Sequence, residues 1–267
     1  MSGLSRTPVG SEPWNSFLLC RRYIAVYFNH VPIAAPTQAE RKPVLYWALG
    51  VLREGESEAL GAWPQDPQGA MNWHQILGEL KDRGVERIRF ALHSDLAGFR
   101  EDLRARFPGA TALPSFAQLL DRSVSQVAAR HRSPVAERLR AIIDTESGPE
   151  ARAALGAFES SRWGVRYPVL VADWRIALEQ GWALWSLAPA LRREVLSGDG
   201  KAAALNRSLR KAVDRRGGFA DAGAAAVFVR AVLAREQRRM EGVPVAATTE
   251  HQRRRGDFGF TMLALGI

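Results

Sequence analysis

The sequence predicts an α/β fold in which a mixed sheet is interrupted by an all-α insertion. Two observations support this prediction. Short apolar runs bounded by turn residues occupy residues 21–111, whereas from 112 to about 196 the apolar residues recur at helical spacing. Strands followed by a long run of helices are typical of an α/β unit with a helical insertion.

Three strands are predicted first along the chain. Residues 23–28, 44–52 and 58–63 are apolar runs of strand length, and the Gly-containing, charged segment 53–57 between the last two is typical of a turn. The three runs therefore favour an antiparallel meander.

A helix and a fourth strand follow the meander. Asn72 is a good N-cap for a helix over 73–83, and Gly84 is a typical residue for its C-terminal end. One face of this helix is apolar and consists of Trp73, Ile76, Leu77 and Leu80. Residues 87–92 are predicted to form the fourth strand, and 97–106 a further helix.

The remainder of the chain is predicted to be helical, with breaks at Ser133-Pro134, Gly148-Pro149, Tyr167-Pro168 and Pro189. Two more helices are expected over 201–214 and 220–241. The predicted units are a leader (1–20), the first part of the core (21–111), the helical insertion (112–197), closing helices (198–242) and a tail (243–267).

The composition is that of a basic globular protein without disulfides. The formal net charge is +9, and Lys occurs at only four positions, so Arg supplies most of the positive charge. An excess of Arg suits phosphate contact, although a GC-rich genome also explains the preference for Arg over Lys. The single cysteine, Cys20, excludes a disulfide framework within the chain. Arg21 and Arg22 interrupt the apolar run 17–28, which is therefore no membrane span. With no signal peptide evident, a cytoplasmic location is expected.

Several groups of residues carry a resemblance to a known family. They are Ala48, Gly50, Gly55 and Leu60-Gly61-Ala62-Trp63; Trp73, Leu77, Leu80-Lys81 and Arg83-Gly84-Val85; Gly98-Phe99 and Phe107-Pro108; Glu150-Ala151, Leu155, Phe158, Trp163-Gly164 and Tyr167-Pro168; and Leu205-Asn206-Arg207, Leu209-Arg210-Lys211, Arg215-Arg216 and Phe219. In order and spacing they resemble the Mutator-type transposases of bacterial insertion sequences.

The resemblance implies a fold and an activity. Family members have an RNase H-like core with a helical insertion before the last catalytic residue, and they cleave and join DNA with two Mg²⁺ ions. They also act as oligomers and carry an N-terminal DNA-binding region. Since only about 20 residues precede the first strand here, that region is expected to be absent. The resemblance implies DNA and a second copy of the chain as partners, and a nucleoid-associated location.

The three metal-binding carboxylates of the family align with residues that carry no charge. The first Asp aligns with Asn29, the second with Ser94 and the Glu with Ala203. Mg²⁺ prefers carboxylate oxygens, so no catalytic residue is intact, no metal site is predicted and no cofactor is expected. The Cys and His that the family has after the second Asp also have no counterpart in the stretch 115–120.

Two nearby residues leave alternatives open. Asp95 follows the second position and could substitute for its carboxylate, or it could cap the next helix. His30 could bind a softer metal ion or be a structural residue. Asp199, close to Ala203 along the chain, is interpreted as a loop or cap residue.

Basic residues cluster in the segment that follows Ala203. The spacing places most of them on one side of a helix, and they are Arg207, Arg210, Lys211, Arg215 and Arg216. This cluster predicts DNA binding, or else a solvated helix face. Arg253-Arg254-Arg255 in the tail has the same two interpretations. The tryptophans of the insertion are expected in the core: Trp163, Trp174, Trp182 and Trp185.

Three hypotheses follow. The chain is a decayed transposase with a folded but inactive core, a domesticated DNA-binding or protein-interaction module, or an active transposase with a shifted acidic site that includes Asp95.

Overall fold

A computed structural model describes residues 18–34, 43–65, 73–93, 98–196 and 200–241. The fold is mixed α/β and contains a five-stranded sheet with the order β3-β2-β1-β4-β5. The strands are β1 (Arg22–Pro32), β2 (Val44–Val51), β3 (Ser57–Pro64), β4 (Arg87–His93) and β5 (Thr111–Pro114). Asn72, Ser94, Asp95, Asp199 and the 253–255 arginines lie outside the described residues.

β1 is the central strand, and its two sides differ. β2 pairs with it antiparallel and β3 pairs antiparallel with β2, which confirms the predicted meander. On the other side β4 runs parallel to β1, and β5 runs parallel to β4. The prediction that helical structure begins at 112 was wrong, because β5 occupies Thr111–Pro114.

Two hydrophobic cores cover the two faces of the sheet. Val26 and Phe28 of β1 contribute to the smaller core, with α1 (Trp73–Asp82) and α2 (Phe99–Arg106). The four residues predicted as the apolar face of α1 are all buried. After α1, Gly84 adopts a φ of 97°, a left-handed conformation that favours glycine and allows the chain to turn into β4.

The larger core joins the opposite face of the sheet to the helices that follow β5. These are α3 (Phe116–Ser125), α4 (Arg132–Ile143), α5 (Gly148–Glu159), α6 (Arg162–Arg166), α7 (Pro168–Gly181) and α8 (Pro189–Leu196). The predicted breaks at 148–149, 167–168 and 189 coincide with helix starts. Three of the four tryptophans predicted as core are buried, whereas Trp182 is 39% exposed and stacks with Arg152.

Two final helices return to the sheet. They are α9 (Lys201–Arg216) and α10 (Ala222–Met240). α10 covers β3, and its side chains form hydrogen bonds with the backbone of β3 where a neighbouring strand would. Gln237 accepts a hydrogen bond from the Ala59 amide and donates one to the Ser57 carbonyl. Arg230 donates to the Ala62 carbonyl at 2.9 Å. Three backbone groups of this edge strand are thereby paired. None of the helices in the described ranges is long and apolar enough to cross a membrane.

Candidate active-site crevice at the strand ends

The carboxyl ends of the three parallel strands lie at the same edge of the sheet. β4 ends at His93, which pairs with Phe28 of β1, and β5 ends at Pro114, which pairs with His93. β1 alone continues, so Asn29 is its first residue beyond the pairing with β4. In open α/β sheets the carboxyl ends of the strands are where ligands bind.

The first strand does not end at residue 28 as the sequence predicted, and Asn29 lies inside it. β1 runs on to Pro32 because β2 continues to pair with it, with Trp47 opposite Asn29. The half-buried Asn29 side chain accepts two hydrogen bonds through Oδ1: from the His30 amide at 3.0 Å and from Gln118 Nε2 at 2.9 Å. The position aligned with the first carboxylate is thus held by an amide pair.

Gln118 was not predicted as a site residue from the sequence. Its stretch, residues 115–120, was noted only because it carries neither Cys nor His. Gln118 is the one polar residue among Phe116, Ala117, Leu119 and Leu120, and that was the available signal. Its Oε1 is buried and accepts no hydrogen bond from any described residue. The Gln118 amide therefore contributes a donor and an unsatisfied acceptor to this site, and no charge.

His30 lies beside Asn29 and connects the strand end to α9. Its ring is 6.0 Å from that of Tyr46, centroid to centroid. Burial, and then the positive charge of Arg210, lower the pKa of His30 below its usual value of 6.5. The imidazole is therefore neutral at pH 7. We call Asn29, His30, Gln118 and Arg210 the strand-end crevice.

The direction of α9 determines where Ala203 lies. Lys201 Nζ donates to the Gly55 carbonyl in the β2–β3 turn, and after the helix the Phe219 amide donates to the Ala34 carbonyl just beyond β1. α9 therefore runs alongside β1 in the same direction. Ala203 is half-buried in the first turn, about 10 Å along the axis from Arg210, towards the start of β1.

The buried and the exposed residues of α9 differ in character. Leu205, Leu209 and Val213 are buried, whereas the basic residues are exposed. In the described part of the chain none of the basic residues pairs with a carboxylate. We call this set the α9 basic surface: Arg207, Arg210, Lys211, Arg215 and Arg216.

Two of the predicted positions cannot be placed in the crevice, because Ser94 and Asp95 lie outside the described residues. Within those residues no three His, Cys, Asp or Glu side chains converge as metal ligands would.

The blocks that carry the family resemblance connect elements of the fold. Trp63 Nε1 donates to Glu79 at 2.8 Å, and the buried Arg83 pairs with the same Glu79 and donates to the Leu60 carbonyl. These four residues, which we call the β3–α1 junction, link the Leu-Gly-x-Trp block to the next one.

Gly164, in a later block of the family resemblance, also connects two elements of the fold, here by close packing. A Cβ at this position would lie 2.4 Å from the carbonyl oxygens of Phe158 and Glu159, so only glycine lets α6 approach the end of α5 this closely.

Comparison with known proteins agrees with these blocks. Residues 12–241 match the family described as "Transposase, Mutator family". The chain is 32% identical over 207 residues to a probable transposase for an ISRM3-like insertion sequence element from Sinorhizobium fredii, covering 77% of this chain and 52% of the relative. The ISRM3 transposase of Rhizobium meliloti gives the same identity and coverage. A probable insertion-sequence transposase from Corynebacterium diphtheriae is 34% identical over 65% of this chain and 50% of its own length. The chain spans about half the length of these relatives.

Proposed function

The chain belongs to the Mutator family of transposases, and we propose that it is a transposase-like protein that binds DNA but does not cleave it. The observation that carries the proposal is the amide pair of Asn29 and Gln118 at the end of the parallel strands. We further propose that the sheet is the RNase H-like core that the family resemblance implies, with α9 and α10 closing it after the helical insertion.

The chemistry of the strand-end crevice does not fit two divalent cations. Two-metal strand cleavage needs carboxylates that offset the charge of the ions and compete with their hydration. Asn29 Oδ1 is neutral and already accepts two hydrogen bonds. Arg210, whose charge reaches His30, adds repulsion for any cation at this place.

Strand cleavage is tested with the full chain, supercoiled DNA and either Mg²⁺ or Mn²⁺. We expect no nicking from the unaltered protein. Metal-dependent nicking that Asp95→Ala abolishes would contradict the proposal and favour an active enzyme with a shifted acidic site.

Reconstruction tests the same site in the opposite direction. Combining Asn29→Asp and Ser94→Asp with a glutamate on α9 should create Mn²⁺ binding measurable by calorimetry, with Asn29→Asp alone as the control. The first version uses Ala203→Glu, the position that the family resemblance implies. Since α9 places Ala203 towards the start of β1, a second version carries Asn206→Glu instead, one helical turn closer to Arg210. Equal metal binding by the unaltered protein would show that the amide pair does not prevent metal binding.

DNA binding is proposed to occur through the α9 basic surface. Its five exposed cations pair with no carboxylate of the described residues and are open to contact phosphates, and such contacts are insensitive to sequence. We expect weak, salt-dependent binding of DNA of any sequence, which fits a nucleoid-associated location and leaves self-association as a separate prediction.

The matched test replaces all five residues of the α9 basic surface with Gln. The control replaces five other exposed arginines, which lie elsewhere on the described surface: Arg53, Arg104, Arg138, Arg140 and Arg193. The α9 variant should bind duplex DNA more weakly and show a shallower dependence of log K on log salt, whereas the control should change less. Equal effects of the two sets, or no binding at low salt, would refute this surface.

A further inference from the structure

An open cavity of about 740 Å³ lies in the helical insertion, apart from the strand-end crevice and the α9 basic surface. It is lined by His131, Ser160, Arg162, Trp163, Val165 and Arg166. These residues come from the ends of α5 and α6 and from the short 3₁₀ turn before α4. The cavity shares no residue with the two surfaces discussed above.

Aromatic side chains and one hydrogen-bonded imidazole form a wall of this cavity. The His131 and Trp163 rings lie 4.8 Å apart, centroid to centroid, and His131 Nδ1 is 2.8 Å from the Tyr167 hydroxyl. Arg130 Nε donates to His131 Nε2 at 3.1 Å. Because Nε2 accepts a hydrogen bond, the neutral imidazole carries its proton on Nδ1 and donates to Tyr167. The imidazole is thus fixed in orientation and tautomer.

Three guanidinium groups lie near this imidazole, those of Arg130, Arg162 and Arg166. Partial burial, followed by the charges of Arg130, Arg166 and Arg162, lowers the pKa of His131. Across the described residues none of these arginines forms an ion pair, and the nearby Glu159 pairs instead with Arg175 at 2.6 Å. The field in the cavity is therefore positive and favours an anion.

The geometry of the arginines favours a ligand with several oxygens. The Arg162 guanidinium stacks over the Trp163 ring, 4.2 Å from its centroid, which restricts its orientation and leaves its edge free to donate. Guanidinium forks bind phosphate through paired N–H···O bonds. Val165, which is 76% exposed, adds an apolar patch next to the charges, large enough to contact a sugar.

We propose that this cavity binds a backbone phosphate of a DNA strand, with Arg162 and Arg166 of its lining as the phosphate ligands and Arg130, hydrogen-bonded to His131, adding its positive charge beside them. The inference rests on the proposed DNA-binding function and assigns to it a second, separate contact site in the helical insertion. The chemistry is that of a phosphate group, so free phosphate and a phosphodiester must be distinguished by experiment.

Imidazole NMR of the full chain distinguishes the two sources. With ¹⁵N-labelled histidines, and the His131 signals assigned from a His131→Asn variant, inorganic phosphate and a short DNA oligonucleotide are added separately. The proposal requires that the oligonucleotide shifts the His131 signals at a lower concentration than phosphate does. A response to inorganic phosphate alone would overturn the assignment to DNA, and no response to either would overturn the site.

A charge-matched pair of variants tests the contribution to affinity. The cavity variant combines Arg130→Gln, Arg162→Gln and Arg166→Gln, and the control combines Arg138→Gln, Arg140→Gln and Arg193→Gln. Fluorescence anisotropy with labelled duplex should show about tenfold weaker binding by the cavity variant than by the control, and a salt slope lower by about 2 to 3. Equal losses would mean that only general charge matters, and the proposal would fail.

The proposal for the cavity and the proposal for the α9 basic surface can be refuted independently. The cavity substitutions are also made in the protein whose α9 surface is neutralised. A further loss of affinity there supports the cavity as a distinct site, even where the α9 substitutions alone have no effect. If the cavity substitutions change nothing while the α9 substitutions weaken binding, the cavity proposal fails and the proposed function stands.

Discussion

The β3–α1 junction and the strand-end crevice are both polar sites at the sheet, but they use polarity in opposite ways. In the junction the buried, charged Arg83 is satisfied by Glu79 and the Leu60 carbonyl. In the crevice the paired groups, Asn29 and Gln118, are neutral amides, and Gln118 Oε1 accepts no hydrogen bond from any described residue. A charge that holds the fold together has to be retained. A neutral amide pair leaves no charge to be balanced, so we expect the fold to depend less on the crevice than on the junction.

Arg83→Met is expected to have the largest effect on stability. Methionine replaces only the aliphatic part of the arginine side chain, so it leaves the partly buried Glu79 without this cation and the Leu60 carbonyl without that donor. Breaking a buried pair from one side costs about 3 kcal/mol or more, which should appear as a lower urea midpoint.

The control for this prediction is Arg104→Met on α2, an exposed arginine that makes no ion pair within the described ranges. It should change the free energy of unfolding by no more than about 0.5 kcal/mol. Equal effects at Arg83 and Arg104 would remove the distinction between the junction and an ordinary surface.

Gly164→Ala tests a second position in the blocks that resemble the family. The added methyl would lie 2.4 Å from two backbone oxygens, and backbone cannot move aside as a flexible side chain can. We expect a loss of about 2 kcal/mol in stability. Gly156→Ala on α5 is the matched control, because nothing lies within 4 Å of its added methyl. Helix propensity predicts that Gly156→Ala stabilises by roughly 0.5–1 kcal/mol, so thermal unfolding should shift in opposite directions for the two variants.

The fold was largely predictable from sequence because its elements are locally encoded. α1 has a clear apolar face and a terminating glycine, and Pro168 and Pro189 each stand at the first residue of a helix. β5 was missed because four residues, Thr111–Pro114, show no strand period of their own and become a strand only by pairing with β4. Trp182 was wrongly assigned to the core, since a helical period does not reveal that Arg152 covers the ring from outside.

Gln118→Met should have a small effect on stability, in contrast to the same kind of substitution at Arg83. It removes the hydrogen bond to Asn29, but it also removes the buried Oε1 that lacks a partner among the described residues. The two changes offset each other, and we expect a difference within about 1 kcal/mol in urea unfolding. A loss as large as that of Arg83→Met would mean that the crevice is as structural as the junction.

The crevice was only partly predictable for a physical reason. Asn29 could be singled out from sequence because strand patterning and the family blocks place it directly after the predicted first strand. Its partner Gln118 is 89 residues away, and such a contact depends on how α3 leaves β5, a strand the sequence did not reveal. The closeness of His30 and Arg210 likewise depends on the path of α9 along β1.

The smallest expected effect is a change in the pKa of His30 in the crevice. This pKa depends on how closely α9 approaches β1. His30 has a lowered pKa in the folded protein, by burial first and by Arg210 second, so over the window below 6.5 the unfolded chain binds more protons than the folded one. This contribution to stability is fully present above about pH 6.5 and is lost as the pH falls through the folded pKa. Arg210→Gln removes one of the two causes, so the pKa of His30 measured by imidazole NMR should rise and the loss of stability on acidification should become smaller. Arg207→Gln, on the same exposed face, is not a cause of the shift and should leave both quantities unchanged. If the two variants gave the same pKa for His30, its lowering would come from burial alone, and the crevice would not include α9.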